Sequence, residues 1–137
     1  MRRLQSGQAL VEWAAASFVL LFFVLGILAV GEIVGEDMAV RSAATQAAFA
    51  AARAPSADAA QKAAYQAAGE AMTGSRVQDF HLALDLAGFQ RGGILTVTAE
   101  GYLSLAEFPI VSQALGQRIK LTWQAQALIE PYRSRAG

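Results

Sequence analysis

The hydrophobic rhythm of the chain changes twice, and each rhythm predicts an element. Residues 13–31 carry no charged side chain and are mostly Leu, Phe, Val, Ala and Gly. Nineteen helical residues extend roughly 28 Å at about 1.5 Å each, close to the thickness of a bilayer's hydrocarbon layer. The helical signal continues past this run. No proline interrupts residues 26–53, and alanine, the strongest helix former, dominates from Ala39 onward. Gly31, Gly35, Ala39, Ala43, Ala47 and Ala51 recur every four positions, so small side chains line one drifting stripe. Such a stripe lets a second helix backbone approach closely. It serves equally to seat the helix on its own head, and the two uses are compatible at different heights.

Pro55 stops or kinks this helix, and Ser56 offers an N-cap for a second one over residues 57–72, with Gly74 as its stop. Asp58 and Lys62 have the spacing of an i,i+4 ion pair. Beyond Gly74 the period falls to two. Phe80, Leu82, Leu84 and Leu86 alternate with His81, Ala83 and Asp85; Leu95, Val97 and Ala99 alternate with Thr96, Thr98 and Glu100. Ile119, Leu121, Trp123, Ala125 and Ala127 alternate with Arg118, Lys120, Thr122, Gln124 and Gln126. One dry and one wet face is the mark of an antiparallel sheet. Residues 88–93 read as a turn-rich break, and residues 109–116 as an irregular connection with room for a short helical turn. The expected fold is α+β: a long N-terminal transmembrane and stalk helix packed on a small antiparallel sheet of about three strands.

Composition sharpens this picture. Hydrophobic residues make up 55% of the 137, and the excess lies in the first third. Eleven Lys+Arg balance eleven Asp+Glu, so no basic excess points to nucleic acid. Cysteine is absent, which removes disulfides and thiolate metal sites. His81 is the single histidine and is expected on a wet strand face. Asp79 and Asp85 lie on one strand pattern, where they either offer a cation two carboxylates or simply solvate the face. Gly92 and Gly93 read as a turn and not as a phosphate cradle. Ser17, Ser42 and Ser56 have no base placed by any motif. Tyr102, Phe108 and Pro109 either form an apolar patch or cap the core. The expectation is a structural part, not an enzyme, with no cofactor and no metal.

The entrance to the apolar run carries the sharpest signal. Residues 7–13 read Gly-Gln-Ala-Leu-Val-Glu-Trp. A carboxylate at the edge of hydrocarbon is costly unless it has a partner or a purpose. A cut after Gly7 would free an amine on Gln8, with Glu12 four residues on, spaced to neutralise the amine of a neighbouring copy. Two other readings stay open: an uncleaved anchor, with Glu12 snorkelling beside an interfacial Trp13, and a secretory signal cut near residues 29–31. Arg2 and Arg3 precede the run, and Glu32, Glu36 and Asp37 follow it. That asymmetry predicts a single-pass membrane protein with a cytoplasmic N-terminus and the head outside.

Residues 5–31 resemble the TadE-like minor pseudopilins of the tight-adherence (Flp, type IVb) pilus machinery. In that family a prepilin peptidase cuts after a glycine, and a Glu with an aromatic beside it follows at the fifth mature position. Gly7, Gln8, Glu12 and Trp13 match those places, with Trp where Tyr or Phe is commoner. The resemblance implies a leader at 1–7, a transmembrane and stalk helix at 8–54 and an extracytoplasmic head at 55–137. It also implies the prepilin peptidase, other pilins, an inner-membrane assembly platform and membrane lipid as partners, and a role in priming, capping or assembling a fibre or a related secretion apparatus.

Overall fold

The computed structural model describes residues 2–87, 89–90 and 92–129. Six elements follow one another: α1 (Arg2–Ala52), α2 (Ala57–Ala71), β1 (Gln78–Asp85), β2 (Ile94–Ser104), α3 (Pro109–Leu115) and β3 (Arg118–Leu128). The fold is α+β. Of the turn expected at 88–93, positions 88 and 91 lie outside the described residues, as does the head beyond 129.

α1 is one unbroken helix of 51 residues, and it begins at Arg2, so the helix runs straight through the expected leader boundary at Gly7. No proline or cap interrupts it until Pro55. Ser56 then has extended backbone, and its Oγ accepts the Ala59 N–H at 3.2 Å, which starts α2. At the far end Met72 N–H donates to Ala68 O, and Gly74 turns the chain away with φ +79°. Asp58 and Lys62 do not close the expected ion pair; both project from the outer face of α2, where solvent competes with so weak an attraction.

α2 buries Ala60, Ala64 and Ala68, one residue per turn, against α1. On α1 two adjacent stripes are buried, Ala43, Ala47, Ala51 and Ala44, Ala48, Ala52. Two are needed because α1 packs on α2 and also on β2 and β3. Side chains this small allow close backbone approach on both sides. The sheet is an antiparallel meander in the order β1-β2-β3. Leu95, Val97, Ala99 and Leu103 of β2 and Leu121, Ala125 and Ala127 of β3 face the core. Trp123 keeps to the core side but is 37% exposed, roofed by the Arg41 guanidinium 4.2 Å from its ring. β1 enters with a bulge between Gln78 and His81, where Asp79 takes φ +51°. Tyr65 OH donates to Leu82 O, tying α2 to β1.

Candidate functional site

The half of α1 that precedes the head carries the candidate residues. From Ser6 to Val30 almost every side chain is exposed, including Leu10, Phe18, Leu20, Phe23 and Ile27. Ala29 is the one fully covered side chain in this stretch. A soluble surface does not present an apolar sleeve on all sides of a helix. α1 is long and apolar enough to cross a membrane.

Gly7 and Gln8 lie on the helix surface with nothing near the place a Gly7 side chain would occupy. Glu12 is exposed one turn above Gln8 on the same face. Among the described residues it has neither an ion-pair nor a hydrogen-bond partner. Trp13 stands beside it, 72% exposed. Ser17 donates its hydroxyl to Trp13 O at 2.8 Å, so this polar group is satisfied within the helix. The carboxylate is thus a polar group at the edge of the apolar run with no internal partner among the described residues.

The small-residue stripe divides by height. Ala43, Ala47 and Ala51 are buried within the head and Ala39 is half-buried, whereas Gly31 and Gly35 face open space. The upper half therefore serves intramolecular packing, and the lower half has no packing partner among the described residues. Lower still, Gly26 opens a shallow apolar notch bordered by Phe22, Phe23 and Val30.

A charged collar marks the junction of sleeve and head. Arg76 Nη1 donates to Glu32 Oε1 at 2.9 Å and to Glu107 Oε2 at 2.8 Å. Glu36 accepts from Ser75 Oγ at 2.5 Å and from Arg76 N–H at 3.1 Å. Glu107 foremost, then Glu32, holds the Arg76 guanidinium above its ordinary pKa. On the arginine side this contribution is present below the unfolded value and is lost as pH climbs through the higher folded value. In the sequence Glu32 and Glu36 read as flanks of the apolar run. Their spacing of four, on one helix face, was the available sign of a shared partner.

The remaining candidates disperse. His81 is exposed, with Nε2 2.9 Å from Glu100 Oε2, and Lys120 Nζ lies 3.6 Å from the same carboxylate. Asp79 pairs with Arg118, while Asp85 accepts the Ala87 N–H at 3.1 Å at the other end of β1, so the two carboxylates do not converge. The Arg118 guanidinium covers the Tyr102 ring at 4.4 Å on the outer face, whereas Phe108 and Pro109 border Leu25 of α1, which separates the three residues considered as one patch. Among the described residues no three His, Cys, Asp or Glu side chains gather as metal ligands would. Comparison with protein-family models, with curated proteins and with solved structures finds no match for this chain.

Proposed function

We propose that this chain is a minor pilin or pseudopilin: a membrane subunit that a prepilin peptidase cuts between Gly7 and Gln8, and that assembles through its N-terminal helix. The observation that carries this is the unpartnered Glu12, one turn after Gln8 on an uncovered apolar helix. Arg2 and Arg3 hold the leader in the cytoplasm, and the head lies across the inner membrane. The peptidase unwinds the helix at Gly7, where glycine lowers helix stability by roughly 1 kcal/mol relative to alanine. The new Gln8 amine and a Glu12 carboxylate then pair between copies or with partner pilins. In hydrocarbon, leaving either charge unpaired is costly, so the pair sets the axial register of neighbouring helices. The head stays outside to prime, cap or recruit at a fibre or secretion apparatus, docked on its inner-membrane platform.

Intact mass of the membrane-extracted protein, with and without co-expressed prepilin peptidase, tests the cut. Loss of residues 1–7 only with the peptidase supports it. Full-length mass in both samples makes the chain a static anchor. Glu12→Gln is expected to leave insertion and cleavage intact but to abolish cross-linking between N-terminal helices; unchanged cross-linking would remove the charge-pairing step.

A further inference from the structure

The geometry points to α3 as a second membrane contact: a short uncharged foot that lies in the interfacial zone of the outer leaflet beside the span. This rests on residues 13–31 crossing the bilayer. Two strands of the chain descend from one charged level. Glu32 on α1 and Glu107 before α3 bind the same Nη1 atom of Arg76, so they sit at one height. Moving away from the head, α1 turns apolar at Gly31, and the β2–α3 connection turns apolar at Phe108. Phe108, Pro109, Ile110 and Val111 border Leu25, which is six residues into the span, roughly 9 Å below Gly31 along the helix. Nearby, Ala29 is buried, as the descent of the head along α1 requires.

α3 behaves as a surface element and not as a core one. None of its residues is buried, and Ile110 and Leu115 are 51% and 59% exposed. Residues 108–116 carry no charge. Ser112 donates its hydroxyl to Pro109 O at 2.8 Å, which satisfies it without water. In water these apolar side chains gain nothing; at a depth of about 5–10 Å in the headgroup and acyl boundary, they are solvated by lipid. The occupant of this face is therefore lipid of the same bilayer that holds the span.

The natural absence of cysteine allows a direct test on the full chain in phosphatidylethanolamine–phosphatidylglycerol vesicles. Single substitutions Ile110→Cys and Leu115→Cys carry an environment-sensitive fluorophore, with Leu20→Cys as the span reference and Ala83→Cys as the head reference. Quenching is read with a shallow nitroxide lipid and with aqueous iodide. At 110 and 115 several-fold stronger lipid quenching than at 83 is expected, with several-fold weaker iodide quenching. Iodide access equal to that at 83, with the label at 20 still lipid-quenched, overturns the foot while the span stands. Protection from both quenchers means that protein covers α3, which also overturns it. Iodide access at 20 removes the span itself and the foot with it.

Discussion

Gly101 faces the core from β2, yet the place of its side chain is taken by Val77. A Cβ there would collide with Val77 Cγ1 while meeting Gln78 O and Phe80 Cα only in ordinary contact, beside the bulged start of β1. Val77 is β-branched and has little freedom to withdraw. Gly101→Ala is expected to cost about 1–3 kcal/mol by overpacking. Combined with Val77→Ala the total should fall well below the sum of the single costs, because the two share one volume. Thermal unfolding in mild detergent reads this, and strict additivity would exclude the shared-space account. Glu36 makes a parallel case. Glu36→Ala leaves the half-buried Ser75 hydroxyl without its acceptor and is expected to cost about 1–2 kcal/mol, with Glu36→Gln milder because one acceptor survives. In the sequence alone Gly101 does not stand out, and Glu36 offers only its spacing of four from Glu32. A glycine in a strand signals close approach without saying by what, and a glutamate after a membrane run looks like a flank until the chain folds back to meet it.

Among elements, extent was legible from local punctuation and alternation, while placement was not. Pro55, Ser56 and Gly74 delimit α2 by backbone chemistry that acts within a few residues, and α2 lies where they put it. The strands follow strict alternation, and their paired registers keep the expected faces, with Trp123 the residue that lifts toward solvent because Arg41 reaches over it. α3 is bounded by Pro109 in its first turn and Gly116 after its last, as the short helical turn expected at 109–116 requires, but its place beside Leu25 depends on the whole meander. The N-cap predicts its own test. Ser56→Ala removes the acceptor for Ala59 N–H and should lower stability by about 1 kcal/mol. Ala64→Leu, in the tight α1–α2 seam, should cost more, of the order of 1–3 kcal/mol, since neither helix has room to repack. If Ala64→Leu is neutral in unfolding, the seam is looser than its buried alanines require.

At the scale of the molecule the head is self-sufficient and the sleeve is not. Gly31 and Gly35 separate the two requirements, because they lie on the packing stripe but a side chain there would meet no other element among the described residues. Gly35→Ala should stabilise the isolated chain by up to about 1 kcal/mol through helix propensity, whereas a larger replacement, Gly35→Leu, should impair assembly if a neighbouring helix packs there. Unfolding of the purified chain and cross-linking in membranes separate these effects; loss of stability on Gly35→Ala would mean that the stripe is already occupied. The sequence could locate this stripe but not divide it, since the division depends on how far down α1 the head reaches.

The unbroken course of α1 has a mechanical consequence. A helix without a hinge is a shaft: turning or pulling one end turns or pulls the other. Inserting one alanine between Val30 and Gly31 should rotate everything above it by about 100° and lift it by about 1.5 Å relative to Glu12. The alanine seam and the Arg76 collar would be untouched and the contacts at Ala29 and Leu25 would be lost, so an unfolding assay should register only a modest loss, while the azimuth between the carboxylate and the outer sheet face would be lost. Inserting seven residues should nearly restore the azimuth at a greater height. Copies brought into phase at the membrane end would thereby present their sheets in phase about 50 Å away.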